Sequence, residues 1–233
     1  MTKEEFISEL KKLNINLTEQ QLEKLSKYYK ILITENKKIN LTGITVRKEV
    51  YLKHFYDSLT AAPLIDNKNV KLCDIGTGAG FPGVVLKIAY PELDVTLVDS
   101  LEKRTKFLEY LIKELELENI KVVTARIEEY SKEHKEEYDI VTSRAVASLP
   151  VILEMAAQLV KVKGYFILLK AKIEEELLKS ENALKKLNFR LEKVQQFELP
   201  VEKSTRSILK IKKLNKVANI YPRDFAKIKH RPL

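Results

Sequence analysis

The chain of 233 residues is 45% hydrophobic and 32% charged, with a formal net charge of +9 at pH 7. This composition is typical of a globular protein with a buried core, and it excludes a disordered or fibrous chain. No stretch approaches the ~18 apolar residues that a membrane span requires, and the first residues lack the apolar region of a secretion signal. We therefore expect a cytoplasmic protein. Because nothing in the sequence indicates an obligate dimer, we expect a monomer.

The first 64 residues predict an N-terminal helical subdomain. Thr2 with Glu5 and Thr18 with Gln21 have the spacing of capping boxes, in which two side chains close the start of a helix. The apolar residues that then recur at helical spacing are Leu22, Leu25, Tyr29 and Leu32.

After Pro63 the sequence alternates between short β-rich runs and helical stretches. The predicted strands are 70–75, 95–99, 120–124, 138–143, 165–169, 189–199 and 204–214. The predicted helices are 84–90, 101–116, 149–160 and 173–187. Such alternation favours a parallel sheet covered by helices on both faces, and the last two strands, with no helix between them, predict a hairpin. We therefore predict an α/β domain over 65–214 with a seven-stranded, mostly parallel sheet, followed by a basic tail over 215–233.

The turn after the first predicted strand, "DIGTGAGFPG" from Asp74 to Gly83, holds four glycines and a proline. Open α/β sheets bind ligands at this edge of the sheet. The stretch from Gly78 to Gly83 satisfies G-x-G-x-x-G, and Asp99 follows about twenty residues later, so a dinucleotide site is one interpretation. A carboxylate at position 74 would repel a pyrophosphate and attract a cation.

S-adenosylmethionine fits these charges better, because it carries a sulfonium and an ammonium and no phosphate. Asp99, at the end of the second predicted strand, is placed to hold its ribose hydroxyls. We therefore expect S-adenosylmethionine as the cofactor. A glycine-rich turn with two solvated acids remains the alternative without a ligand.

The charge is concentrated at the end of the chain, where residues 201–233 carry ten basic and two acidic side chains. An excess of this size is the electrostatic footprint of a nucleic-acid partner, since cations that neutralise phosphates release counterions. A solvated basic tail and a membrane-surface contact are the other interpretations.

Several segments together resemble one family in their order and spacing. They are "NLTGI" at Asn40, "HFYDS" at His54, "DIGTGAGFPG" at Asp74, "VDSLEKR" at Val98, "ARIEEY" at Ala125, "SRAVASL" at Ser143, "LKA" at Leu169 and "YPR" at Tyr221. The sequence is similar to the glucose-inhibited-division-B proteins, also called RsmG. The resemblance implies a class I, Rossmann-like methyltransferase that uses S-adenosylmethionine to methylate N7 of one guanine, position 527 in conventional numbering, in the 530 loop of 16S rRNA.

The resemblance also implies which residues hold the cofactor. In the glycine turn, Gly76 would let the methionine portion pass close to the backbone, and Phe81 would cover its methylene groups. Gly78 of the same turn is also expected to bind the cofactor. The other implied residues are Ile127 and Glu128, which would face adenine, and Arg144, which would contact the cofactor carboxylate or an RNA phosphate. Glu128 could instead be a solvated surface acid, and Arg144 an ordinary arginine at a strand end.

The substrate pocket is expected to be apolar and rimmed by cations, because the target base must leave any stack. The candidates for its rim are His54, Arg126 and Lys172. Guanine N7 has a free lone pair, so we expect no general base. Cys73 lies inside an apolar strand and is expected to be inert, and three scattered histidines give no metal site.

Two further functions remain open on the sequence alone. One is a ribosome-assembly or RNA-binding factor that keeps S-adenosylmethionine as a structural ligand, and the other is a nicotinamide-dependent dehydrogenase. Asp74 argues against the dehydrogenase, for the electrostatic reason given above.

Overall fold

A computed structural model of the protein describes residues Met1–Leu233. The helices are α1 (Lys3–Lys12), α2 (Glu19–Ile39), α3 (Arg47–Val50), α4 (Asp57–Leu59), α5 (Gly83–Ala89), α6 (Glu102–Glu114), α7 (Ile127–Glu133), α8 (Leu149–Ala156), α9 (Glu174–Leu178), α10 (Glu181–Lys186) and α11 (Phe225–His230). The strands are β1 (Lys71–Ile75), β2 (Asp94–Asp99), β3 (Ile120–Thr124), β4 (Tyr138–Arg144), β5 (Val160–Lys170), β6 (Phe189–Glu198) and β7 (Thr205–Lys213).

The seven strands form one sheet in the order β3-β2-β1-β4-β5-β7-β6. The first five strands run parallel, whereas β7 pairs antiparallel with both β5 and β6. The predicted mostly parallel sheet with a terminal hairpin is therefore confirmed. The strand order reverses between β1 and β4, and the carboxyl ends of these two strands are where such sheets bind ligands.

The core lies on both faces of the sheet. Side chains of one strand alternate between the faces, so Leu72 and Cys73 of β1 belong to different hydrophobic clusters. The cluster that contains Leu72 also includes apolar residues of α1, α2, α5 and α6, and the other includes apolar residues of α7, α8, α10 and α11. The N-terminal helices therefore share a core with the sheet. No helix of the structure combines the length and the apolar composition needed to cross a bilayer.

Both predicted capping boxes are present, at the start of α1 and of α2. The predicted apolar face of α2 is wrong at one residue. Tyr28 is fully buried in place of Tyr29, which is only partly buried. The Tyr28 hydroxyl donates a hydrogen bond to the carbonyl of Ala79 in the glycine turn. This contact joins the N-terminal helices to the predicted ligand-binding turn.

Two predicted helices are wrong in their extent. The helix predicted over 149–160 ends at Ala156, and β5 begins at Val160, because Val160 pairs with Tyr138 before the register shifts. Gly164 sits at this irregularity, where a Cβ would lie 2.7 Å from the carbonyl oxygen of Asp139. The helix predicted over 173–187 is interrupted at Ser180, whose hydroxyl bonds the carbonyl of Glu176, a side-chain bond that competes with the helix.

Candidate cofactor and substrate clefts

Two clefts open at the carboxyl edge of the sheet, beside β1 and β4. The first, about 670 Å³, is called here the turn cleft, and its lining includes Gly76, Asp99, Ile127, Glu128 and Phe225. The second, about 540 Å³, is called the helix cleft, and its lining includes Lys53, His54, Asp57, Lys172 and Arg206. Both clefts are lined by residues 144–147, which begin at the last residue of β4. This shared segment makes the two clefts neighbours.

The glycine turn contributes Gly76 to the floor of the turn cleft, whereas Gly78 does not line it. Both glycines have backbone angles that few other residues adopt. Gly76 and Gly78 have φ angles of +63° and +61°. A Cβ on Gly76 would lie 2.6 Å from Cγ2 of Val146, whereas a Cβ on Gly78 would meet no atom within 4 Å. Gly76 is therefore required for both its backbone angle and its lack of a side chain, and Gly78 for its backbone angle alone.

Asp99 lies at the end of β2 on the wall of the turn cleft and is only 2% exposed. Its Oδ2 accepts a hydrogen bond from the backbone N–H of Gly78 at 2.9 Å, and its Oδ1 accepts one from that of Leu101 at 3.0 Å. The guanidinium of Arg104 lies 3.3 Å from Oδ2. These contacts fix the carboxylate as an acceptor beside the turn, the position expected for holding two ribose hydroxyls.

Asp74 is oriented differently from the expectation. Its side chain is fully buried and does not line either cleft. Its Oδ2 accepts hydrogen bonds from the Thr77 hydroxyl at 2.6 Å and from the Gly83 N–H at 2.8 Å, so it braces the two ends of the turn. Its Oδ1 has no partner in the protein. Asp74 therefore shapes the turn from inside the protein, and its side chain reaches neither cleft.

Burial raises the pKa of Asp74 to about 7, against the hydrogen bonds from Thr77 and Gly83 that lower it. Because the folded pKa lies above the unfolded value of about 3.8, the folded state holds more protons between pH 4 and 7. We expect the free energy of unfolding, relative to that of Asp74→Asn, to decrease by up to about 4 kcal/mol as the pH rises through this range. Urea unfolding of both proteins at several pH values measures this difference, and a constant difference would contradict it.

Ile127 and Glu128 begin α7 and line the turn cleft. Glu128 is only 6% exposed, and its carboxylate is paired with Nε of Arg126, so the alternative of a solvated surface acid is wrong. Arg126 was expected at the rim of the substrate pocket with His54 and Lys172. It lies instead in the turn cleft, where its guanidinium is 4.5 Å from the ring centre of Phe225.

Arg144, the last residue of β4, connects the sheet to the N-terminal helices. Its guanidinium donates to the carbonyl of Lys53 at 2.8 Å, to Oδ2 of Asp57 at 3.1 Å and to Nδ1 of His54 at 2.9 Å. Its three acceptors come from Tyr51–Tyr56, a π-helical turn, and from the residue that follows it. Such turns are rare and often mark functional sites. Arg144 therefore holds three groups of the N-terminal segment against the end of β4, which an ordinary arginine at a strand end would not do.

His54 is neutral in this site. Burial, with a contribution from the nearby Arg144, lowers its pKa to about 3. Its Nδ1 accepts from Arg144, which leaves the proton on Nε2, 2.9 Å from the Thr42 hydroxyl. Both ring nitrogens are thus occupied by protein partners. His54 lines the helix cleft as a positioned aromatic ring and not as a free base.

Phe81 does not lie in the cleft where it was expected to cover the methylene groups of the cofactor. Its ring is 5% exposed and does not line either cleft. It stacks on His54 with ring centres 4.4 Å apart and on Tyr28 at 5.4 Å, and the Arg144 guanidinium lies 4.9 Å from its centre. In this arrangement Phe81 supports the residues that line the helix cleft.

The structure adds site residues that the sequence analysis missed. Asp57 is 5% exposed and lies between two arginines, 3.1 Å from Arg144 and 3.3 Å from Nε of Arg206. Asp57 is the acid of the segment "HFYDS", a segment that indicated the family without indicating a role for this residue. The partner Arg206 comes from β7, and Phe225 from the C-terminal tail, and no local pattern indicated either of them.

The turn cleft fits S-adenosylmethionine in two respects. Gly76 keeps the floor open beside Val146, and Asp99 offers carboxylate oxygens fixed on the wall. These groups suit hydroxyls and cationic centres better than a pyrophosphate.

Comparisons with known proteins agree with this geometry. The sequence profile of the GidB family, described as rRNA small subunit methyltransferase G, matches residues 21–208. The ribosomal RNA small subunit methyltransferase G of Bacillus subtilis is 48% identical over 227 residues, which cover 96% of this chain and 95% of that protein. The protein of the same name from Acetivibrio thermocellus is 45% identical over 221 residues, which cover 94% and 91% of the two chains.

Solved structures show the same fold at lower identity. TYW2 of M. jannaschii in complex with AdoMet superposes with a TM-score of 0.56 at 16% identity, over 68% of this chain and 75% of that chain. A SAM-dependent methyltransferase from Aquifex aeolicus gives 0.54 at 18% identity, over 77% and 97%. The fold is thus the Rossmann-like fold of the SAM-dependent methyltransferases. With the profile match and the close relatives, these findings show that the chain belongs to the GidB family, the small-subunit rRNA methyltransferases G.

Proposed function

We propose that this protein transfers the methyl group of S-adenosylmethionine to N7 of a guanine in the 530 loop of 16S rRNA, at position 527 in conventional numbering. The observation that carries the proposal is the pair of clefts that share residues 144–147. One cleft has the groups that suit the cofactor, and the other has the cationic, partly apolar lining that suits a nucleobase flipped out of its stack. The shared segment is where the two ligands would meet.

The residues proposed to hold the cofactor are Gly76, Asp99, Ile127, Glu128 and Arg144, which line the turn cleft, and Gly78, whose N–H is bonded to Asp99. When bound, S-adenosylmethionine supplies an electrophilic methyl group on a sulfonium. Asp99 would accept from the ribose hydroxyls, and the backbone around Gly76 would pass close to the methionine portion. Phe81 would support the site without contacting the cofactor, because its ring packs against His54 and Arg144. The protein's task is therefore to orient the methyl group toward the helix cleft.

In the helix cleft, the chain needs to align the guanine and exclude water. The N7 lone pair lies in the plane of the base and is available without deprotonation. His54 is neutral, and its Nδ1 is already bonded to Arg144, so its role is to shape the pocket. Alignment of two bound reactants can supply on the order of 7 kcal/mol or more of barrier reduction.

Lys172 is exposed and lines the helix cleft, and we propose that it contacts an RNA phosphate. Lys172→Ala is expected to lower kcat/KM for RNA about tenfold and to reduce the salt slope of RNA binding by about one, without changing the affinity for S-adenosylmethionine. Lys179→Ala is the matched control, because Lys179 has a 72% exposed side chain and lies outside the cleft. Equal effects of the two changes would contradict a specific role for Lys172.

The organisation of the chain supports the same proposal. We propose residues 1–64 as a helical subdomain that builds one side of the substrate pocket, 65–214 as the methyltransferase domain and 215–233 as the basic tail. The 16S rRNA is the proposed partner of a monomeric, cytoplasmic enzyme. The RNA-facing part is expected to bind through its cations without reading sequence.

A transfer assay tests the proposal against the two alternative functions. Small subunits from cells that lack this gene are incubated with the protein and S-adenosylmethionine labelled in its methyl group. We expect label in the 16S rRNA and no competition by NAD. Displacement of the cofactor by NAD would favour a dehydrogenase, and cofactor binding without transfer would favour an assembly factor.

A further inference from the structure

We infer that the C-terminal segment, residues 221–233, is part of the cofactor site and packs against the adenosine half of S-adenosylmethionine through Phe225. The inference rests on the proposed function and assigns a new residue to it. It also gives this part of the basic tail a role that its charge did not indicate.

Phe225 is an aromatic side chain left 37% exposed at the wall of the turn cleft. It shares that cleft with Ile127 and Glu128, the residues that the family resemblance places beside adenine. Its ring centre lies 4.5 Å from the guanidinium of Arg126, whose Nε is bonded to Glu128. The ring is thus next to the proposed adenine position, and a planar base packed on it would cover apolar surface that is otherwise exposed.

An ion pair with a buried carboxylate fastens this segment to the domain. Nε and Nη2 of Arg223 each lie 2.6 Å from one of the two carboxylate oxygens of Glu154, and the Arg223 N–H donates to the same carboxylate at 3.2 Å. Glu154 lies on α8 and is fully buried. A bidentate pair of this kind has a defined geometry as well as charge, so it fixes the direction in which the chain leaves Arg223.

Two further contacts of α8 and its C-terminal end hold the tail in place. Nε2 of Gln158 lies 3.0 Å from the carbonyl of Tyr221 and 3.2 Å from that of Ala218. Ile228 of α11 is fully buried in the same hydrophobic cluster as the apolar residues of α8. The segment that carries Phe225 is therefore docked at both sides of that residue, as a binding contact requires.

The test is the affinity of Phe225→Ala for two probes, S-adenosylmethionine and 5′-deoxy-5′-methylthioadenosine, measured by isothermal titration calorimetry. The second probe keeps the adenosine and lacks the amino-acid portion. We expect the Kd of both probes to rise about tenfold, which corresponds to about 1.4 kcal/mol. Arg223→Lys keeps the positive charge and loses the bidentate contact with Glu154, and it is expected to weaken the binding of both probes as well.

Ile220→Ala is the matched control, because Ile220 is an apolar residue of the same tail, 71% exposed and outside the cleft. It should leave both affinities unchanged, and the thermal midpoints of all variants confirm folding. Wild-type affinity in Phe225→Ala, an equal loss in Ile220→Ala, or a loss for S-adenosylmethionine alone would each overturn the inference while leaving the proposed function intact. If the unaltered protein binds neither probe, the proposed cofactor falls and this inference falls with it.

Discussion

Arg144→Ala is expected to lower kcat/KM for methyl transfer at least about 100-fold, because a misplacement of reacting groups by about 1 Å can cost that much. Arg144 lines both clefts and holds Asp57, His54 and the carbonyl of Lys53 in one arrangement. Its loss releases the π-helical turn from the end of β4 and leaves the buried Asp57 with a single cationic partner, Arg206. Steady-state kinetics with small subunits as substrate measure the effect.

Arg144→Lys should lose nearly as much activity, since an ammonium cannot reproduce three directed contacts. Arg190→Ala is the control, because Arg190 is a 62% exposed arginine on the edge strand β6. Its activity should be that of the unaltered protein. An Arg144→Lys enzyme with normal kinetics would mean that charge alone is needed at this position, and the positioning role would be wrong.

Gly76→Ala is expected to weaken S-adenosylmethionine binding at least about tenfold and to destabilise the fold by more than the ~1–2 kcal/mol that a left-handed backbone costs an alanine. The excess comes from the collision with Val146, where the new Cβ would lie 2.6 Å from Cγ2. Val146 lines both clefts, so a shift that relieves the collision narrows the cavity in which the two ligands meet.

Gly78→Ala separates the two effects, because it has nearly the same φ angle and no neighbour within 4 Å of its Cβ. It should show only the backbone cost. Calorimetric titration with S-adenosylmethionine and urea unfolding of both variants provide the comparison. Equal affinities and equal stabilities would show that the contact with Val146 has no influence.

The sheet was predictable because its strands are apolar runs separated by helical stretches, and because two successive strands with no helix between them must pair antiparallel. The extents of β5 and of the helices around it were not predictable from the sequence, because they depend on the pairing of Val160 with Tyr138 across a bulge. Such a register is set between strands, and its one local mark, Gly164, does not show where the pairing begins.

Some site residues could be predicted from the sequence and others could not. Asp99 and Arg144 follow from their positions at strand ends, which any parallel sheet brings to one edge. The orientation of Asp74 could have been inferred, since strand alternation places it on the same face as Leu72, toward α5 and away from the open cleft. The contact between Arg223 and Glu154 could not have been inferred from the sequence, because it joins residues 69 positions apart.

The most direct measurement is the nucleoside composition of 16S rRNA after reaction with the protein. Small subunits from cells lacking this gene are treated with the protein and S-adenosylmethionine, and the RNA is digested to nucleosides and separated by mass spectrometry. The proposed function predicts one 7-methylguanosine per subunit, lost with Arg144→Ala and retained with Arg190→Ala. No 7-methylguanosine under conditions where the cofactor binds, or a methyl group on another atom, would contradict it.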